Sequence, residues 1–306
     1  MKTPWWFMRK TLLALILVPV SWLYYLIGRV VYFLRRIRAY KSRRPIICIG
    51  NILAGGVGKT PIVRCVASYL DAPVVMRGYK KSAKTGNAGD EALMLSAAGI
   101  QVHTGHRKSN IKLLNRQKSC IPIVMDDGFQ NPSIKKDLTI IVFDAALGMG
   151  NGFLLPAGPL REGARALARA DAVIVIRGGR ENPRFKVPNT LPVFYATNRT
   201  INPCRPGDKI AAFAGIGYPR KFFDAIGADY RKSFPDHYQY TDADIEKLTA
   251  WAAKRGATLV TTEKDWVRLS PAARAQIPYA RLETVIEDNF YDWLKERLNG
   301  DINPCD

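Results

Sequence analysis

The sequence predicts an α/β fold: a mostly parallel sheet with flanking helices, a second and smaller α/β unit, and an apolar helix at the N-terminus. Three observations carry this expectation. Apolar runs of strand length recur through the chain, separated by helix-compatible stretches. Residues 45–70, PIICIGNILAGGVGKTPIVRCVASYL, pass from an apolar strand through a glycine-rich loop into an amphipathic helix. A stretch rich in Pro, Asn and Arg at residues 178–208 separates two such patterned regions.

The first element is the apolar one. The chain has 306 residues and a formal net charge of +20, and residues 1–44 hold ten Lys or Arg and no acidic residue. Within them lies TLLALILVPVSWLYYLI at residues 11–27, extended by apolar residues 30–34, with Trp5, Trp6, Trp22, Tyr24 and Tyr25 as interfacial aromatics. At about 1.5 Å per residue the run reaches roughly 25 Å, just short of a bilayer's hydrocarbon core, so spanning and partial embedding are both open, with Pro19 placed to bend the helix. No small-residue cleavage site follows the run. Arg35, Arg36, Arg38, Lys41, Arg43 and Arg44 follow instead, which reads as a retained anchor with a cytoplasmic basic collar drawn to anionic lipid headgroups. No zinc-finger spacing, helix-turn-helix pattern or RNP signature accompanies the charge, so no nucleic-acid partner is expected. The five cysteines are widely spaced and lack a C-x-x-C pair, which supports neither a zinc site nor a disulfide scaffold.

A strand is expected at the start of residues 45–70, ahead of the glycine loop, and further strands at residues 72–76, 121–125, 138–143 and 172–176, with a helix over residues 90–98. Beyond the Pro-rich stretch come a strand at residues 209–214, a helix from Pro219, a helix capped by Thr241 with Asp244 at N3, a strand at residues 258–262 and a final helix over residues 289–298. The chain divides accordingly into residues 1–44 (anchor), 45–177 (first α/β domain), 178–208 (linker or ribbon) and 209–306 (smaller α/β domain).

The loop in the first domain has the layout of a P-loop NTPase. Gly55, Gly56 and Gly58 lack Cβ atoms and let main-chain N–H groups close around a polyphosphate at a helix N-terminus. Leu53, Ala54, Gly55, Gly56, Val57, Gly58, Lys59 and Thr60 are therefore the candidate ATP-binding residues. Lys59 would reach the β- and γ-phosphates, Thr60 would place its hydroxyl on Mg²⁺, and Pro61 suits a first helical turn. Leu53 stands where the usual pattern has its first glycine.

Polar clusters follow the strands. Asp126-Asp127 ends an apolar strand at the sheet edge where α/β folds bind ligands, and reads either as a metal-binding acid pair or as a strand-capping Asp-Asp-Gly turn. Asp90 opens a helix after Gly89, as an N-cap or as a base for an attacking hydroxyl. His237, one of three histidines, stands beside Asp236 in the second domain and would reach a nucleotide only across an interdomain cleft, by closure bringing it toward Asp90. The loop at residues 148–162, GMGNGFLLPAGPLRE, reads as a surface loop or as a cover that brings Arg161 to a phosphate and Glu162 to a metal.

Taken in order, GNILAGGVGKTP, RGYK, GDE, DDGFQN, GNGFLLPAGPLRE, FAGIGYP, FPDHYQY and TTEKDW resemble the tetraacyldisaccharide 4'-kinase family of lipid A biosynthesis over residues 11–270. The resemblance implies transfer of the ATP γ-phosphate to the 4'-hydroxyl of an acylated glucosamine disaccharide 1-phosphate, with Mg²⁺ as cofactor. It also implies a location at the bacterial inner membrane, where the N-terminal helix meets membrane lipids and the catalytic body is cytoplasmic. By the same resemblance Asp90 is the catalytic base with His237 as dyad partner and Lys59 on the phosphates. Thr60, Asp126, Asp127 and Glu162 surround the metal, and Glu91, Arg107, Gln130, Asn131 and Arg161 face the substrate. Asn131 departs from the family histidine and cannot titrate; Leu147-Gly148-Met149 and Lys80 depart as well. The alternative is a membrane-associated P-loop ATPase acting as a switch, which would hydrolyse ATP without phosphorylating a lipid.

Overall fold

The computed structural model describes residues 5–78, 89–178, 182, 187 and 190–300. Tyr79 and Lys80 of the RGYK block lie outside them. The chain falls into two units that interleave in sequence, a larger one of Thr3–Tyr79, Ala98–Asn198 and Thr284–Asp306 and a smaller one of chiefly Lys80–Ala97 and Arg199–Glu283.

In the larger unit the strands are β1 (Ile46–Gly50), β2 (Val74–Met76), β3 (Val102–Thr104), β4 (Ile123–Asp126), β5 (Leu138–Asp144), β6 (Ala172–Arg177) and most of β7 (Val193–Ile201). They order as β3-β2-β4-β1-β5-β6-β7, parallel throughout. β1, β2 and β4 are buried along their whole length, as parallel strands covered on both faces are. β1 lies between β4 and β5, with Ile49 in register with Asp126. The glycine loop after β1 and the Asp126-Asp127 turn after β4 therefore emerge side by side. The region read as linker or ribbon contains β7, a nine-residue strand. Its burial lapses after Ala196, which is why its apolar signal is short.

The smaller unit holds β8 (Ile210–Ala214), β9 (Tyr230–Ser233), β10 (Thr258–Thr262) and most of β11 (Tyr279–Ile286), ordered β11-β10-β8-β9 and again parallel. Alternate residues of β8 supply two cores. Ala212 and Ala214 pack with Phe223, Ile226 and Val260, while Ala211 and Phe213 pack with Leu248, Ala252 and Leu259. Thr241 and Asp244 close a reciprocal capping box on the helix Asp242–Ala253.

At the N-terminus the apolar run forms two helices, Leu12–Ile16 and Val18–Ile37, broken at Leu17, with Pro19 in the first turn of the second rather than in mid-helix. Leu12, Ile16, Trp22, Leu23, Leu26, Phe33 and Ile37 are exposed. Among the described residues no helix is long and apolar enough to cross a membrane. One side of this segment is seated on the 151–161 loop. Asn151 is buried, its amide donates to the carbonyls of Trp6 and Ala157, both at 2.9 Å, and its N–H donates to Phe7 at 2.7 Å. Ser21 Oγ, buried in the second helix, donates to Leu154 at 3.0 Å and accepts from Ala157 N at 3.1 Å.

Gly158 makes this seat possible, since a Cβ there would lie 2.1 Å from Asn151 Oδ1 and 2.4 Å from Phe153 O. Gly158→Ala is expected to destabilise the protein by about 2 kcal/mol. A urea-unfolding midpoint equal to that of wild type would contradict this packing.

Among the described residues Cys48, Cys65 and Cys204 form no disulfide, whereas Cys120 is disulfide-bonded, although the spacing supported no disulfide scaffold.

Candidate active site

The glycine loop turns outward because Gly55 and Gly58 adopt φ of 115° and 77°, left-handed values that residues with a Cβ rarely take. Gly58 is the N-cap of the helix Lys59–Tyr69. Gly55, Gly56 and Gly58 are exposed, and Val57 points inward. This is a helix N-terminus open to an anion. Leu53 explains the missing first glycine: it is buried and forms an antiparallel bridge with Leu160. Ala54 N–H is engaged by Pro159 O at 2.7 Å, and Arg161 N–H by Ile52 O at 2.7 Å. Leu53 and Ala54, expected on ATP, brace the loop, and Gly55, Gly56 and Gly58 are its exposed residues.

Lys59 Nζ lies 3.2 Å from Asn51 Oδ1 and 3.4 Å from Asp127 Oδ1. Arg161 Nη1 donates to the two carboxylate oxygens of Asp127 at 3.1 and 3.0 Å. Asp127 itself takes a left-handed φ of 49° just beyond β4. Burial pushes its carboxyl up, but Lys59 and then Arg161 more than reverse this and hold it below the ordinary carboxylate value. The result is an anion flanked by two cations next to an open phosphate loop.

Other expected substrate residues are fastened around this pair. Arg107 donates through Nη2 to the carbonyls of Asp126 at 2.8 Å and Asp127 at 3.1 Å, clamping the strand end. Desolvation lowers its pKa from the usual guanidinium value, against the pull of Asp127 and Asp126. Gln130 donates to Asn51 O at 2.8 Å and accepts from Arg161 at 3.4 Å. Asn131 Oδ1 accepts from Ser133 N at 3.1 Å, so its amide closes a turn.

The expected metal set does not assemble as one cluster. Among the described residues no group of three or more His, Cys, Asp and Glu could hold a metal. Glu162 is instead paired with Arg169 Nη2 at 2.5 Å, and that guanidinium stacks over Phe129 at 4.4 Å and Tyr32 at 4.8 Å. Asp126 is buried at the end of β4 and Asp127 follows it, while Thr60 is half-buried in the helix's first turn.

The smaller unit carries its own constellation. Asp90 begins the helix Asp90–Ala97. The carbonyl of Gly89 accepts from Leu93 N, and the Asp90 carboxylate is turned to other partners rather than to a cap. Its Oδ2 accepts from His237 Nδ1 at 2.7 Å and from Arg268 Nη2 at 2.6 Å. Because a carboxylate oxygen only accepts, His237 carries its proton on Nδ1. His237 is held at a left-handed φ of 63°, its N–H bonded to Gly215 O at 3.1 Å. The closure expected to bring His237 to Asp90 is unnecessary, since residues 80–97 belong with residues 199–283 and the pair is formed within one unit. Glu91 beside it is exposed.

Several residues went unread in the sequence: Asn51, which seats Lys59; Lys136, whose Nζ donates to Asn131 O at 2.5 Å and Phe129 O at 3.3 Å; Arg169; and Arg268. Only Arg268 left a local signal, three residues after Asp265 of the TTEKDW block.

Comparison with known proteins fits this geometry. A family model described as tetraacyldisaccharide-1-P 4'-kinase matches residues 13–299. Tetraacyldisaccharide 4'-kinases of Gluconacetobacter diazotrophicus and Hyphomonas neptunium are each 38% identical, covering 86% and 90% of this chain and 87% and 89% of their own. Among solved structures, "apo"-form LpxK from Aquifex aeolicus in complex with ATP matches with a TM-score of 0.76 at 25% identity, over 95% of this chain and 100% of that one. A glycine loop that presents Lys59 to an anion, within a match spanning nearly the whole chain, places it in a definite group: the protein belongs to the tetraacyldisaccharide-1-P 4'-kinase family.

Proposed function

We propose that the protein is an ATP-dependent kinase that transfers the γ-phosphate to the 4'-hydroxyl of a tetraacyldisaccharide 1-phosphate, giving the bisphosphorylated precursor of lipid A. The observation that carries this reading is the fixed Lys59 at the mouth of the open glycine loop, held by Asn51 and Asp127.

The roles follow from charge and position. N–H groups of residues 55–60 and Lys59 would hold the β- and γ-phosphates, and Arg161 would neutralise the migrating group. The acceptor hydroxyl's proton would pass to Asp90 as the new O–P bond forms and the bond to ADP breaks, with His237 fixing the carboxylate. Mg²⁺ is compatible with the donors present, since this ion takes one or two carboxylates and keeps several waters. Thr60 with Asp126 or Asp127 would hold it, and once bound it would offset charge on the phosphate oxygens. Glu162, tied to Arg169, would act through that pair.

A lipid substrate calls for a protein at a bilayer surface. The exposed apolar residues within 12–37, with the basic residues Arg35, Arg36, Arg38, Lys41 and Arg43, support a partly embedded segment on the cytoplasmic face of the inner membrane.

The test is transfer of labelled γ-phosphate from Mg-ATP to purified tetraacyldisaccharide 1-phosphate in detergent. Labelled lipid is expected. ATP hydrolysis without labelled lipid would instead support the ATPase switch.

A further inference from the structure

Asp90 meets a second partner that a two-residue dyad does not include. The side chains of Arg268 and Asp265 are 1% and 0% exposed, and the guanidinium is forked between two carboxylates, Nη2 to Asp90 Oδ2 at 2.6 Å and Nη1 to Asp265 Oδ1 at 2.8 Å. Nη1 also lies 3.2 Å from Gly215 O. Asp265 is in turn saturated: its Oδ1 accepts from Tyr240 OH at 3.2 Å, and its Oδ2 from Thr262 Oγ1 at 2.7 Å and Gly215 N at 3.0 Å. A buried cation with this many fixed partners has one orientation. His237, by contrast, has 60% of its side chain exposed.

Both donors, Arg268 and His237, converge on the same oxygen of Asp90. Oδ2 thereby takes both donors, and Oδ1, which takes none among the described residues, is the oxygen left to meet an incoming hydroxyl.

Resting on the kinase reading above, we infer that Arg268 is a positioning residue for phosphoryl transfer: it fixes Asp90 through Oδ2 so that Oδ1 receives the proton of the acceptor hydroxyl. The electrostatics agree with the geometry. Burial pushes the Asp90 carboxyl up, and Arg268, followed by His237, more than offsets it. The wider setting contains Asp265 and Tyr240 behind Arg268, Asp236 at 3.8 Å from His237 Nε2, Lys264 at 3.5 Å from Asp236, and Glu91 on Asp90's own helix. Of these groups, Arg268 alone is a buried permanent cation bonded to Asp90.

The experiment compares wild type, Arg268→Gln, Arg268→Lys and Tyr240→Phe as full-length protein, measuring kcat, KM for Mg-ATP and the pH profile of lipid phosphorylation. Arg268→Gln is expected to lower kcat about 10²-fold with KM for ATP within about twofold. Without the cation, burial raises the Asp90 pKa, so the acidic limb of the profile moves about one unit toward higher pH. Arg268→Lys keeps the charge but not the fork; it should return the limb toward its wild-type position while kcat stays reduced. Tyr240→Phe removes a hydrogen bond from Asp265 without removing charge, and should lower Tm and leave the limb in place.

If the glutamine variant does not fold, a lysine variant with wild-type kcat overturns the inference. So does a folded glutamine variant with an unmoved limb, or a loss confined to KM for ATP. Wild type that labels no lipid would overturn the kinase reading itself, an outcome separate from variants that match an active wild type.

Discussion

Lys59→Ala is expected to lower lipid phosphorylation by about 10²- to 10³-fold, the effect of removing a preorganised donor from developing charge. The protein should remain folded. Lys59 is partly exposed, and Asp127 keeps Arg161 at 3.0 Å as a counter-charge. Lys59→Arg should not restore activity, because the longer planar fork cannot sit as a point charge between Asn51 and Asp127. Measuring transfer and thermal unfolding together decides the matter. A fully active, well-folded alanine variant would remove Lys59 from the phosphate site.

The second large effect belongs to Asp90. Asp90→Asn should reduce transfer by about 10²- to 10⁴-fold while ATP affinity stays near wild type, because an amide of the same shape cannot take the acceptor's proton. It also puts a neutral group opposite Arg268, so a loss of stability accompanies the loss of rate. The pH window follows from the direction of the shift. Folding lowers the Asp90 pKa below the ordinary carboxylate value, so its contribution to stability is present above that value and is lost as pH falls through the folded pKa. The asparagine variant should therefore lose this part of wild type's acid dependence. Unchanged transfer by Asp90→Asn would leave the proton without its acceptor.

Much of this was readable in advance where partners lie close along the chain or where apolar runs are unbroken. β1, β5 and β6 are largely apolar, and the bounds of β5, β6 and β10 follow from the sequence within a residue. β9 did not show, because YRKS is polar and half-exposed, and only its pairing with β8 makes it a strand. β11 alternates in burial and reads weakly for the same reason. The P-loop announced itself through glycines that a left-handed backbone requires. The seat of Lys59 did not, since Asn51 acts through a side chain folded back over the loop. Arg268 lies 178 residues from Asp90 in sequence, a pairing that no local pattern encodes. Glu162 gave no sign of its partner, since Arg169 lies seven residues further along the chain.

The seating of the N-terminal segment on the 151–161 loop bears on how such a protein could be handled. Pro159 and Leu160 of that loop hold Ala54 and Leu53 at the start of the phosphate loop, while Trp6, Phe7 and Ser21 hold the loop from the other side. A chain cut to begin at residue 45 would shed its exposed apolar surface and gain solubility, but Asn151 would lose its bonds to Trp6 and Phe7, and the Leu154 carbonyl its bond to Ser21. The trimmed enzyme would then have a slacker nucleotide loop, so its ATP affinity would not describe the intact protein, and a compound wedged between Trp6 and Pro156 would inhibit from outside the nucleotide site.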